Sequence, residues 1–226
     1  MRGDSLYHAG NLILHDRQQV LRGGAPITEA RAALILLHGR GASAEDIYSL
    51  GEAAAADTPE VALIAPQAAG NAWYPQRFLV PTARNEPYLS SALGVIANLV
   101  AELSENHIRY DRVIIAGFSQ GACLALEFAA RKPRRYGGIV ALSGAIIGPP
   151  GGPRQLLGSL DGTPVYLGCD EEDAHIPLAS VEESAVVFTK LGAQVTKTIF
   201  KGLGHSVNAE EVEVLRALVR KAAATA

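Results

Sequence analysis

The feature that most constrains the fold is a repeated alternation in which short apolar runs of strand length are each followed by a segment of helical period. Residues 32–37 read Ala-Ala-Leu-Ile-Leu-Leu, 61–65 read Val-Ala-Leu-Ile-Ala and 112–116 read Arg-Val-Ile-Ile-Ala. Further strands are predicted at 138–143, 164–169 and 194–200. Runs without polar alternation are expected of strands covered on both faces. Between them, 43–56, 88–106, 120–132, 177–191 and 208–222 carry helical spacing. Two of these helices open on a capping-box pattern, Ser43 with Asp46 and Asn208 with Glu211. Strands separated by helices pair in parallel through right-handed crossovers, so the predicted class is α/β, a doubly wound, mostly parallel sheet. One or two early strands are expected within 11–21, and 67–87 and 148–162 read as loops. No repeat, low-complexity tract or break divides the 226 residues, and a single domain over 1–226 is expected.

Composition removes several classes of function. Apolar residues make up 48%, enough for a substantial core, and the formal charge of −3 is spread along the chain. Disorder and nucleic-acid binding are both disfavoured. The one concentrated positive stretch, Arg131-Lys132-Pro133-Arg134-Arg135, reads as the polar end of a helix. Cys123 and Cys169 lie far apart with no CxxC spacing, which argues against a disulfide scaffold or a cysteine zinc site. Cys123 is expected to act as a small apolar residue within a helix. No HxxH or HxxxH pair exists, so no metal is expected. The first ten residues lack the apolar core of a signal peptide. No apolar run approaches the roughly 20 residues of a membrane helix, and a cytoplasmic location without a membrane span is expected.

Chemistry enters at Gly117-Phe118-Ser119-Gln120-Gly121. A G-x-S-x-G between a buried strand and a helix is the setting of a nucleophile elbow, in which a tight turn projects the serine hydroxyl into a cleft. A serine needs an adjacent base. Of six histidines, His8 and His15 precede the parallel sheet, and His107 follows a long helix. His38 sits in a Gly-rich loop, and His175 lies in an acidic one. His205 lies between the last strand and the last helix, at the same carboxyl edge of the sheet as Ser119, and is taken as the base. The orienting acid should stand between them in sequence. The 170–173 loop offers Asp170, Glu171, Glu172 and Asp173; Asp173, just ahead of Ile176-Pro177, is preferred, with Asp170 the alternative. Main-chain N–H groups of Gln120 and of Arg40, in the Gly39-Arg40-Gly41 turn, are the expected oxyanion donors. The Arg40 side chain is expected to be solvated.

In order along the chain, Leu37-His38-Gly39-Arg40-Gly41, Gly117-Phe118-Ser119-Gln120-Gly121-Ala122, Asp173-Ala174-His175-Ile176-Pro177 and Gly204-His205-Ser206 resemble the phospholipase/carboxylesterase family. This is the group of small α/β-hydrolases that includes acyl-protein thioesterases and bacterial carboxylesterases. The likeness runs from about residue 32 to the C-terminus. It implies an α/β-hydrolase fold without a large lid domain, a cofactor-free hydrolase, a small-molecule ester substrate, and a monomer or homodimer. It also matches Asp173 as the acid, and Arg40 and Gln120 as oxyanion donors. His38-Gly39-Arg40-Gly41-Ala42-Ser43 departs from the His-Gly-Leu-Gly-Asp form typical of the acyl-protein thioesterases, which favours a bacterial-type carboxylesterase.

Trp73 and Phe78, with Phe118 and Leu203, are expected to line a shallow substrate pocket suited to short or medium acyl chains. The alternative for the loop aromatics is that they cap the core. A lysophospholipase or thioesterase would use the same triad. A non-catalytic binding module on this fold is disfavoured because all three triad positions carry competent residues.

Overall fold

A computed structural model describes residues 7–8, 11–12, 14–154 and 156–224. A two-residue ladder, β1 (Tyr7–His8) with β2 (Asn11–Leu12), precedes the main sheet. The sheet consists of β3 (Val20–Gly24), β4 (Ala32–Leu37), β5 (Val61–Pro66), β6 (Val113–Phe118), β7 (Gly138–Leu142), β8 (Pro164–Asp170) and β9 (Gln194–Phe200). Its strand order is β3-β5-β4-β6-β7-β8-β9. Only β3 runs antiparallel, against β5; every other pairing is parallel. The helices are α1 (Ala44–Ala55), α2 (Tyr88–Glu105), α3 (Gln120–Arg131), α4 (Leu178–Lys190) and α5 (Ala209–Ala224).

The two-residue period of a strand divides the core into two layers. Ala33, Ile35 and Leu37 of β4 join a cluster with α2, α3 and α4. Ala32, Leu34 and Leu36 face the other way, into a cluster with α1 and α5. All six residues are fully buried, which explains why β4 reads as an unbroken apolar run. The capping box of α1 forms in full, with Asp46 N–H donating to Ser43 Oγ and Ser43 N–H to the Asp46 carboxylate. Asn208 and Glu211 make the same exchange at the start of α5.

The early segment differs from expectation. His15–Arg17 forms a 3-10 turn, and β3 continues past residue 21 to Gly24. The turn forms because His15 is buried and hydrogen-bonded into the loop after β5, so it does not join the sheet. The parallel strands bring the loops after β4, β5, β6, β8 and β9 to one carboxyl edge, where a site in such a sheet is expected.

Candidate active site

The turn from β6 into α3 is as tight as its glycines imply. A Cβ on Gly117 would lie 2.4 Å from the Gly121 backbone, and one on Gly121 would lie 2.0 Å from the Leu37 carbonyl oxygen. Ser119 sits between them at φ 54°, ψ −116°, a left-handed setting that costs a side-chain-bearing residue energy and persists only where its surroundings hold it. They do: Ser119 N–H donates to the Leu142 carbonyl at 2.9 Å, and its own carbonyl accepts from Cys123 N–H at 3.0 Å.

His205 stands on the loop between β9 and α5. That loop is tied at one end by Asp170, whose carboxylate accepts from Leu203 N–H at 2.6 Å. Its other end is tied by the Asn208–Glu211 box. The imidazole lies between two rings, Phe118 at 4.9 Å and His175 at 4.6 Å between centroids. Its Nε2 is 2.8 Å from Ser119 Oγ, and its Nδ1 is 2.7 Å from Asp173 Oδ2. The second oxygen of Asp173 accepts from the N–H groups of His175 (2.8 Å) and Ile176 (3.0 Å). Burial raises the Asp173 carboxyl, but these hydrogen bonds, led by that from His205, outweigh it and hold the group below the usual carboxylate range. A carboxylate on Nδ1 selects the tautomer with its proton there, which leaves Nε2 free to accept from the serine hydroxyl.

Asp170, the alternative acid, does not touch His205. It accepts from Glu172 N–H at 2.8 Å as well as from Leu203. These amide donors, Glu172 first, hold its carboxyl below the usual range. It therefore organises the histidine loop.

Arg40 and Gln120 both line the cleft above Ser119. Among the described residues, neither main-chain N–H donates to another protein group. Gln120 begins α3, where the first N–H groups have no intrahelical acceptor. The Arg40 side chain is not simply solvated, contrary to expectation. Its guanidinium donates to three successive carbonyls, Tyr74 at 2.8 Å, Pro75 at 3.1 Å and Gln76 at 2.8 Å. The Gln120 side chain grips the same loop, accepting from Trp73 N–H and donating to the Tyr74 carbonyl, both at 2.8 Å.

The cleft has a volume of about 450 Å³. Phe78 and Phe118 line it; Trp73 and Leu203 do not, and both are corrections to the expected pocket. Trp73 is fully buried, with its indole N–H donating to the His38 carbonyl at 2.9 Å. A loop indole whose only polar atom finds a backbone acceptor can be fully enclosed, so Trp73 caps the core. Leu203 is half-buried outside the lining, with its N–H donating to the Asp170 carboxylate.

Sequence reasoning missed Tyr74, Arg77, Cys123, His175 and Ile176 as cleft residues. Cys123 was accessible to it, being one helical turn beyond Ser119 on α3. The directions of Tyr74 and Arg77 in an irregular loop were not. A larger depression of about 560 Å³, lined by Glu127, Arg131 and Arg154 among others, contains none of the Ser119, His205 and Asp173 set. Its charged groups pair with protein neighbours, Arg131 with Glu127 at 2.7 Å and Arg154 with the Ile147 carbonyl at 2.6 Å.

His38 is fully buried and makes no hydrogen bond to Ser119, with Nδ1 against the Gly39 carbonyl and Nε2 accepting from Ala68 N–H. Among the described residues there is no cluster of His, Cys, Asp and Glu able to hold a metal ion. None of their helices is long and apolar enough to cross a membrane.

The profile of the phospholipase/carboxylesterase family matches residues 24–223. Acyl-protein thioesterase 1 of Saccharomyces cerevisiae is 30% identical over 223 residues, covering 89% of this chain and 97% of the yeast protein. Among solved structures, a phospholipase/carboxylesterase from Dyadobacter fermentans superposes with a TM-score of 0.86 at 35% identity, covering 92% of this chain and 99% of that one. The Bacillus cereus carboxylesterase shares the fold, with a TM-score of 0.70 at 22% identity over 92% and 95% of the two chains. With its α/β-hydrolase sheet and a family profile that spans nearly its whole length, the chain belongs to the phospholipase/carboxylesterase family of ester hydrolases.

Proposed function

We propose that the protein is a serine carboxylesterase that hydrolyses short- to medium-chain esters through an acyl-enzyme on Ser119. The observation that carries this reading is the hydrogen-bonded line from Ser119 Oγ through His205 to Asp173, at 2.8 and 2.7 Å. In the reaction His205 Nε2 takes the hydroxyl proton as Ser119 Oγ attacks the ester carbonyl. The tetrahedral oxyanion accepts from the N–H groups of Arg40 and Gln120. His205 then passes the proton to the leaving alkoxide, the acyl group stays on Ser119, and water repeats the sequence to release the acid. Asp173 keeps its charge throughout and stabilises the imidazolium. One lost oxyanion donor costs about 2.7–4 kcal/mol of transition-state stabilisation.

The short-chain preference rests on a cleft of about 450 Å³ that acyl and alcohol parts share. Trp73 is held inside the core, and Phe78, Phe118 and Ile176 are among the apolar residues that remain in the lining. A thioesterase reading is favoured by one observation, the 30% identity to yeast acyl-protein thioesterase 1 over 89% of this chain. Thioesters pass through the same tetrahedral intermediate, so both substrates belong in the test. Hydrolysis of p-nitrophenyl esters from acetate to palmitate, and of matched thioesters, is measured for the wild type and Ser119→Ala. The expected result is activity that peaks at short to medium chains and is lost in the variant. Rates rising steadily to palmitate refute the chain-length assignment, and equal rates for the two proteins refute Ser119 as nucleophile.

A further inference from the structure

The charged side chains that line the cleft are all of one sign or can become so: Arg40, Arg77, His175 and His205. Among the described residues, no carboxylate lines it. This is unexpected for a chain whose net charge is −3. Two of the four are already committed, Arg40 to the carbonyls of residues 74–76 and His205 to Ser119 and Asp173. Arg77 is different. Its guanidinium is exposed and forms no ion pair among the described residues. It makes one long hydrogen bond, 3.5 Å, to the His175 carbonyl. The nearest acid in sequence, Glu86, accepts from Ser90 N–H at 3.0 Å and is outside the cleft lining, and so are the exposed Glu171 and Glu172 of the His175 loop. Glu171 faces Lys201 at 4.0 Å.

The position of Arg77 also defines which part of a substrate it meets. The leaving alkoxide takes its proton from His205 Nε2, so the alcohol part of an ester lies on the His205 side of Ser119. The oxyanion lies on the Arg40 and Gln120 side. The Arg77 guanidinium donates to the carbonyl of His175, whose ring packs on His205 at 4.6 Å. It therefore stands beside the departing alcohol. A guanidinium offers planar paired donors that suit a carboxylate or a phosphate.

We propose that Arg77 is a specificity-determining residue that selects esters whose leaving alcohol carries an anionic group. This rests on the Ser119 esterase reading and narrows its substrate class. The shared chemistry is an oxyanion on the alcohol; a carboxylate and a phosphate are its two sources.

The test compares pairs matched except at one anionic group. The first is the butyrate ester of meta-hydroxybenzoate against that of its methyl ester. The second is butyryl glycerol phosphate against monobutyrin. A third pair, p-nitrophenyl hemiglutarate against p-nitrophenyl butyrate, places the charge on the acyl side. The readout is the ratio of kcat/KM, charged over neutral, in the wild type, Arg77→Gln and Arg77→Lys.

An exposed charge pair gives up to about 1 kcal/mol, so the ratio for a leaving-group pair should fall roughly fivefold in Arg77→Gln. It should be partly retained in Arg77→Lys and shrink in the wild type as salt is raised. A fall in either leaving-group pair supports the inference, and which pair responds identifies carboxylate or phosphate. An unchanged ratio with both rates lowered together marks Arg77 as merely structural and overturns it. Discrimination confined to the hemiglutarate pair overturns it too. Turnover of the neutral esters without charge discrimination leaves the esterase reading standing, whereas no turnover of any ester removes both.

Discussion

Replacing Asp173 by asparagine separates the orienting role proposed for the acid from its structural one. In the native site Asp173 Oδ1 accepts from two amides, His175 N–H and Ile176 N–H, while Oδ2 faces His205 Nδ1. An asparagine has one acceptor oxygen and one donor amide. Two backbone donors require the oxygen on their side, so the NH₂ group is forced toward the imidazole. His205 Nδ1 must then accept, its proton moves to Nε2, and that nitrogen can no longer take the Ser119 proton. The equivalent wrong-tautomer substitution in a serine protease lowers kcat about 10⁴-fold, which at about 1.36 kcal/mol per decade is a barrier increase of roughly 5 kcal/mol. The two loop hydrogen bonds survive, so thermal unfolding should change little. The assay is kcat/KM on p-nitrophenyl butyrate, with fluorophosphonate labelling of Ser119 and a thermal melt on the same samples. A loss of less than tenfold with an intact fold refutes the tautomer argument. A deeper loss in Asp170→Asn than in Asp173→Asn refutes the choice of acid.

Two further predictions concern stability. Gly121→Ala drives a methyl to 2.0 Å from the Leu37 carbonyl oxygen, a backbone atom that cannot rotate away. Overpacking of this kind costs typically about 1–3 kcal/mol or more, and a change below about 0.5 kcal/mol in urea unfolding would show that the elbow yields. His15 and His38 are held neutral by burial, both below the usual histidine value, and each accepts an N–H that an imidazolium could not. Below about pH 6.5 the unfolded chain therefore binds protons that the folded chain refuses, and their contribution is lost as pH falls through the folded values. Glu211, raised to about 7 by burial, acts with the opposite sign over the same range. The comparison is thus between proteins: His38→Gln should flatten the acid-side loss of unfolding free energy between pH 7 and 5, and an unchanged slope would refute the assignment.

The parts of this molecule legible in the sequence are those under a periodic constraint. β4 and β6 are buried on both faces and show it as unbroken apolar runs. The elbow needs glycine at 117 and 121 for reasons that leave a pattern, and His205 follows from the position of its loop in a parallel sheet. Irregular segments carry no such period. Trp73 and Phe78, five residues apart in one loop, are both buried apolar aromatics of one core cluster, yet Phe78 also lines the cleft and Trp73 does not. What separates them is a hydrogen bond from the indole to the His38 carbonyl, a contact across 35 residues that no local pattern encodes. The anchoring of the Arg40 guanidinium is illegible in the sequence for the same reason, since its three acceptors are carbonyls, and every residue has one. The choice between Asp170 and Asp173 depended on which carboxylate the backbone donors leave facing the histidine, which composition alone does not reveal.

Arg40 and Gln120 each act at two ends, with a main-chain N–H in the cleft and a side chain holding residues 73–76. The evolvability of the protein is divided by this arrangement. Substitutions that loosen the 73–76 wall to admit a bulkier ester also release the two residues proposed as oxyanion donors, so on that proposal gains in scope on that side come with losses in turnover. Phe78, Phe118 and Ile176 lack such a double attachment through their side chains. A library built to broaden the substrate range should vary those three positions and leave Arg40 and Gln120 fixed.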